Sequence, residues 1–300
     1  MKTTAFDIVR SQDLNGKVFL ITGGYAGLGA INTRALLMAR AKVIITGRSA
    51  EAQAEFVKNL QDDPELNLED QQIDASHTMN LGDLVSVKKF ASYVKSNYNQ
   101  IDCLINNAGV MNTPPGKTKD GFETQMGINV IGHFLLSKIL VDITKRQIWL
   151  SSKGHIRFGA PRIDLDAITN IEKPPYIPRA RYQQSKLGDI LLARQFARQY
   201  PHLKAVSVHP GGVKTNLGRH MSIGQKIKFI LTNPFIVMAM VSPEEGAATQ
   251  VLVATIPDEE LSNGAYYSDC KVTEEAESAR NMEDAKKLFD YCDDVTKAYQ

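Results

Sequence analysis

From Gly16 onward, short runs of mostly apolar residues rich in Val and Ile alternate with longer stretches whose apolar positions recur at helical spacing. Lys17 to Thr22, Lys42 to Gly47, Ile101 to Asn106, Gln147 to Ser152 and Lys204 to His209 read as strands, and the segments between them as helices. Parallel neighbours cannot be joined by a tight hairpin, so this rhythm predicts crossover connections and a parallel sheet. Ligands of such sheets sit beyond the carboxyl ends of the strands. The unusual residue clusters of this sequence fall just after these apolar runs.

Two stretches break the rhythm. Pro161 to Pro178 contains Pro161, Pro174, Pro175 and Pro178 and reads as an inserted loop. Residues 216–241 mix Gly218, Gly224 and Pro234 with Ile227, Phe229, Ile230, Leu231, Phe235, Ile236 and Met238. That composition suits a lid over an apolar substrate pocket and equally suits a helix pair packed on the core. No repeat, low-complexity block or linker divides the chain. We therefore expect an N-terminal extension over residues 1–15 and a single domain over 16–300.

Composition narrows the classes. With 43% apolar and 23% charged residues the chain is not a disordered one. Lys and Arg number 35 against 33 Asp and Glu, too close to balance for a nucleic-acid partner. Cys103, Cys270 and Cys292 are scattered, which fits a reducing, cytoplasmic setting, and the histidines at 77, 133, 155, 202, 209 and 220 show no metal-ligand spacing. Asp7 and Asp13 interrupt a start that lacks the apolar region of a signal peptide. The apolar run Phe235 to Val241 is far short of the ~20 residues that span a bilayer. A soluble chain without a transmembrane anchor is expected.

The first strand runs into Gly23, Gly24, Tyr25, Ala26, Gly27, Leu28 and Gly29, followed by a helical pattern. Glycines there allow a sharp turn and close approach of a pyrophosphate, and the helix start supplies free N–H groups. The second strand ends in Gly47, Arg48 and Ser49, where an NAD site often has an acidic residue for the ribose 2′-hydroxyl. Arg48 equally suits a surface position at a helix start, but a guanidinium there favours a 2′-phosphate, so NADP(H) is expected over NAD(H). Tyr182 and Lys186 stand at i and i+4, on one helical face, where the ammonium favours the phenolate. The same spacing recurs at Tyr200 with Lys204 and at Tyr267 with Lys271, but neither of those pairs shares a helical face. Tyr182 also follows a strand ending in Ser151 and Ser152, whose hydroxyls fall at the carboxyl edge of the sheet.

Together these residues resemble the short-chain dehydrogenases and reductases. Thr22, Gly23, Gly27 and Gly29 match that family's glycine motif, Asn106, Asn107, Ala108 and Gly109 its fourth-strand motif, and Asn129 with Gly132 and Phe134 its helix asparagine. Ser152, Tyr182 with Lys186, and Pro210, Gly211, Val213 and Thr215 complete the set in order, between about Gly16 and Val253. The resemblance implies a single Rossmann-type, doubly wound parallel sheet with helices on both faces. It implies an NAD(P)(H)-dependent oxidoreductase interconverting an alcohol and a carbonyl, often as a homo-oligomer. Tyr182 would be the general acid/base, Lys186 would lower its pKa and hold the nicotinamide ribose, Ser152 would position the substrate oxygen, and Asn129 would keep a relay water. Asn80 and Leu81 would join the cofactor site; His155 lies near Ser152, where its ring either touches substrate or is solvated.

The stretches Asp120 to Phe134, Pro243 to Ala247 and Gly264 to Cys270 are similar to the retinol-dehydrogenase-like branch, which acts on retinoids, sterols and other lipophilic alcohols and carbonyls. Three positions depart from the family pattern: Asn80 in place of an Asp, Trp149 in place of a small or polar residue, and Arg40 at a helix end that tends to use Gly. The competing reading is a non-catalytic NADP(H)-binding sensor, which has no need of a polarised phenol. A hydrolase is disfavoured because no Gly-x-Ser-x-Gly elbow is present.

Overall fold

The computed structural model describes residues 2–66, 68, 72–156, 162–171, 176–213 and 240–300. Within these, the apolar runs form one sheet of β1 (Val18–Thr22), β2 (Lys42–Thr46), β3 (Ile73–Asp74), β4 (Cys103–Asn106), β5 (Arg146–Leu150), β6 (Lys204–His209), β7 (Tyr266–Ser268) and β8 (Lys271–Val272). Their order is β3-β2-β1-β4-β5-β6-β7-β8. All neighbours pair in parallel except β7 and β8, which form an antiparallel edge. The expected Rossmann-type sheet is therefore present. The three strands not anticipated, β3, β7 and β8, are two or three residues long, too short to carry a periodic signal, and owe their extension to pairing with longer neighbours.

The helices are α1 (Ala5–Val9), α2 (Gly27–Met38), α3 (Ala50–Gln61), α4 (Leu84–Asn97), α5 (Thr124–Met126), α6 (His133–Ile139), α7 (Pro178–Gln199), α8 (Pro243–Thr255) and α9 (Met282–Thr296), with a π-helical turn, Gly127–Gly132, between α5 and α6. Their starts are written locally. Ser49 caps α3, Asp83 accepts from the backbone of Val85 and Ser86 to cap α4, and Ser242 with Glu245 forms a capping box ahead of Pro243.

Strand residues alternate between two cores. Phe19, Ile21, Cys103, Ile105, Ile148, Val206 and Tyr267 face the layer holding α2 and α8, and Leu20, Leu104, Trp149, Ala205 and Tyr266 face the layer of α4, α6, α7 and α9. Both faces are covered, which is why the central strands read as unbroken apolar runs rather than alternating ones. Trp149 finds its account here: fully buried, it lies 5.6 Å from the Phe196 ring of α7 and edge-on to His133, filling the space between sheet and helix. Ala5, Val9 and Leu14 are buried against the α2–α8 layer, so the segment expected to be an extension is part of that core.

The loop expected at Pro161 to Pro178 is described only in part; residues 157–161 and 172–175, and most of the lid expected at 216–241, lie outside the described residues.

Arg40 adopts the left-handed conformation (φ 68°) after α2, and its N–H and that of Ala41 return to the carbonyls of Leu37 and Leu36. The left-handed cap is present although the residue is not Gly, and the strain sits on Arg40. Its ion pair with Asp13 is exposed and offsets little of it. Replacing Arg40 with Gly should raise stability by roughly 0.5–1 kcal/mol after the entropy of the added Gly is subtracted. Thermal unfolding would show this as a Tm increase of ~1–3 °C. A fall in Tm would contradict the assignment of strain.

Candidate active site

Where the strand order reverses between β1 and β4, the loops leaving the two strands diverge and open a cleft of about 340 Å³ at the carboxyl edge of the sheet. Thr22 stitches its floor: its Oγ1 accepts from the backbone N–H groups of Asn107 (2.9 Å) and Ala108 (3.0 Å), and its carbonyl accepts from Asn107 Nδ2 (2.9 Å). Ala108 and Gly109 are thereby presented to the cleft.

The glycine turn lines one wall with Gly23, Tyr25, Ala26, Gly27 and Leu28. Gly23 and Gly27 are left-handed (φ 66° and 53°), and a Cβ on Gly27 would enter open space. Helix α2 starts without a side-chain cap at Ala26, leaving its first N–H groups directed at that space. This cradle fits a pyrophosphate. Gly29 plays a different part from the one expected. It does not line the cleft, and a Cβ there would fall 2.2 Å from the Gly23 carbonyl oxygen, so its role is to let helix and turn close on each other.

At the outer end, the Tyr25 ring lies against Gly47, where a Cβ would come within 2.3 Å of Tyr25 Cε1. Arg48, Asn80 and Leu81 complete that end. Arg48 is exposed to the cleft and forms no ion pair among the described residues. Asn80 Oδ1 accepts from the Gly82 N–H, so the amide here braces its own turn. Pro210, Gly211 and Val213 line the inner wall; Thr215 lies outside the described residues.

The chemistry sits where α7 crosses the end of β5. In the extended chain after β5, Ser151 and Ser152 point opposite ways: Ser151 Oγ donates to the Lys186 carbonyl (2.6 Å), whereas the Ser152 hydroxyl meets the Tyr182 phenol. Tyr182 and Lys186 lie one turn apart on α7, with the ammonium 5.7 Å from the phenol ring centroid. Lys186 Nζ donates to the Leu150 carbonyl (2.7 Å) and to Asp189 Oδ2 (2.8 Å). Burial holds Tyr182 above the ordinary phenol range, and the nearby ammonium and the Ser152 hydroxyl only partly offset this. Lys186 does pull the phenol down as expected, but desolvation outweighs it, and the resting phenol keeps its proton. The rival pairs fall away, since Tyr200 only ends α7 and Tyr267 and Lys271 lie on different strands.

Three expected site residues turn out to act from behind. Asn106 turns away from the cleft and donates to Ser137 Oγ on α6 (2.9 Å), so its expected cofactor contact is corrected. Asn129, in the π turn, spends its amide on the Val110 N–H (2.9 Å), the Val110 carbonyl (3.0 Å) and Ser185 Oγ (2.9 Å), bracing the wall beside Gly109. His155 is fully buried: Nδ1–H donates to the Ser152 carbonyl (2.5 Å) and Nε2 accepts from the Ala276 N–H (3.2 Å). With both ring nitrogens engaged it positions Ser152, and the expected substrate contact is corrected. Sequence reading missed His133, which donates through Nδ1 to the Asn129 carbonyl (3.0 Å) and meets Thr22 Oγ1 (2.9 Å), and Asp189. The available signal for Asp189 was an acidic residue three positions after Lys186 in an otherwise apolar stretch.

A phenol that holds a proton beside a buried ammonium, facing a phosphate cradle, is equipped to move a proton while a nicotinamide moves a hydride. The protein is an NAD(P)-dependent oxidoreductase acting on CH–OH groups. It belongs to the short chain dehydrogenase family, whose model matches residues 17–226. It is 34% identical over 292 residues to retinol dehydrogenase 14 of Homo sapiens, covering 92% of this chain and 85% of that one. It is 33% identical over 304 residues to the chloroplastic short-chain dehydrogenase TIC 32 A of Brassica napus, covering 96% and 91%. The resemblance to the retinol-dehydrogenase-like branch therefore holds. A crystal structure of an uncharacterized protein from Mycobacterium Paratuberculosis superposes with a TM-score of 0.77 at 26% identity, covering 99% of this chain and 98% of that one. The RhlG/NADP complex of Pseudomonas aeruginosa shares the fold, with a TM-score of 0.66 at 22% identity, covering 85% of this chain and 95% of that one.

Because Tyr25 rests on Gly47, Gly47→Ala should displace the ring and raise the KM for the dinucleotide about tenfold, equivalent to ~1.4 kcal/mol, while kcat at saturating cofactor changes little. An unchanged KM would show that the Tyr25 ring does not shape the cofactor's outer site.

Proposed function

We propose that the protein interconverts lipophilic alcohols and carbonyl compounds, of retinoid, steroid or aldehyde type, using NADP(H) in preference to NAD(H). The observation that carries this reading is the Ser152–Tyr182–Lys186 cluster at the inner end of a dinucleotide cleft whose outer end presents Arg48 without a carboxylate partner among the described residues. The names of the retinol dehydrogenase relatives and the apolar Val110, Ile128 and Leu150 in the cleft support the substrate class. In the reducing direction Ser152 Oγ–H donates to the carbonyl oxygen and orients it, and Tyr182 Oη transfers its proton to that oxygen as it becomes an alcohol. In the oxidising direction Tyr182 takes the proton back. Bound NADP(H) supplies or accepts the hydride at the carbon. Lys186 steadies the phenolate when it forms. We assign the protein to a reducing, cytoplasmic compartment, in keeping with its three unpaired cysteines.

Nicotinamide absorbance with a panel of apolar aldehydes, ketones and alcohols tests the reading. Tyr182→Phe should lower kcat by roughly 10²–10⁴-fold with the cofactor Kd little changed. Arg48→Ala should weaken NADPH by roughly 10–100-fold and leave NADH nearly unaffected. Equal losses for both cofactors would contradict the 2′-phosphate assignment. Tight NADPH binding with no turnover anywhere in the panel would favour the sensor reading.

A further inference from the structure

Helix α7 carries three ionisable groups along the face turned toward the end of β5: Tyr182, Lys186 one turn on, and Asp189 three residues further. Asp189 is 3% exposed in its side chain and Lys186 6%, and their 2.8 Å contact is an ion pair enclosed by protein. A buried carboxylate costs more than an apolar side chain of similar volume at the same place, so packing alone does not account for it. Its neighbours Leu187, Ile190, Leu191 and Leu192 are ordinary core residues. What sets Asp189 apart is that it touches the ammonium on which the Tyr182 chemistry depends.

We propose that Asp189 is a positioning residue of the reaction: its carboxylate fixes Lys186 Nζ against the Leu150 carbonyl and offsets part of the ammonium's field at the Tyr182 phenol. The proposal rests on Tyr182 being the proton carrier. Three N–H donors sit on Nζ, and Leu150 and Asp189 take one each, which leaves a third for a ligand of the cleft that Lys186 lines. A Lys without Asp189 would be free to swing its charge closer to Tyr182.

The electrostatics agree in sign. Burial pushes the Asp189 carboxyl up and Lys186 draws it back, the ammonium 2.8 Å away favouring the carboxylate form. Asp189 in turn raises Tyr182, opposing Lys186. The other titratable groups facing this line are His133 on α6, held down to about 4 by burial, His155 after β5, also lowered by burial, Tyr266 on β7, and Glu275, which Arg194 and Arg280 pair. Asp189 is the anion in contact with Lys186.

The test is the ionisation of Tyr182 in the full chain without cofactor or substrate, read as near-ultraviolet phenolate absorbance after subtracting the matching Tyr182→Phe protein. In Asp189→Asn the Tyr182 midpoint should fall by about one pH unit, and Asp189→Glu, which keeps the charge, should restore it. Asp189→Ser is the second neutral variant should Asn fail to fold. With turnover, the acid limb of the kcat/KM profile for alcohol oxidation should move down by the same amount. An unmoved or raised midpoint in folded neutral variants overturns the proposal, whatever the panel of substrates shows. A lowered midpoint with no turnover would uphold it while contradicting the enzyme reading.

Discussion

Thr22 is the joint on which the cleft depends. It ends β1 at the point where the sheet's winding reverses, and its single hydroxyl accepts from two backbone N–H groups after β4 while meeting His133 on α6. His133 Nδ1 faces the Asn129 carbonyl, an acceptor only, so Nε2 is the acceptor for the Thr22 hydroxyl proton. Burial depresses the His133 pKa to about 4, which keeps that neutral tautomer at physiological pH. The end of β1, the Ala108–Gly109 wall and the π turn carrying Asn129 are thus held in one largely buried network. Removing the hydroxyl would cost the Ala108 N–H and His133 Nε2 a partner at once.

The second constraint is the crossing of α7 over the end of β5. Ser151 and Lys186 tie the two elements in both directions, serine hydroxyl to helix carbonyl and lysine ammonium to strand carbonyl. That double tie delivers Ser152 to Tyr182. A buried phenol with its proton retained is the form required to protonate a carbonyl oxygen, and the same burial excludes the water that would screen the ammonium once the phenolate forms. Behind the pair, His155 and Asn129 hold backbone in place.

Much of this was legible in the sequence because parallel strands buried on both faces announce themselves as apolar runs, and the residues at their carboxyl ends are where ligands bind. Arg48 and Ser152 follow such strand ends, and the i, i+4 spacing of Tyr182 and Lys186 marks one face of the helix that crosses them. What escaped reading was direction. Asn106 and Asn107 are adjacent and identical in chemistry, yet the strand's alternation sends one to Ser137 and the other to the Thr22 joint. The burial of His155 beside Ser152 is not legible either, because sequence does not reveal that Ala276, more than a hundred residues later, supplies its second partner. The strands β3, β7 and β8 exist through pairing alone, and pairing is a tertiary property.

The central claim is hydride transfer beside Tyr182. NADPH deuterated at the reactive nicotinamide carbon, incubated with a reducible apolar aldehyde and the protein, tests it by mass spectrometry of the alcohol formed. The account predicts one deuterium on the carbinol carbon, delivered from a single face of the nicotinamide, and none when Tyr182 is Phe. Alcohol formed without label, or label transferred equally well by the Phe variant, would contradict it.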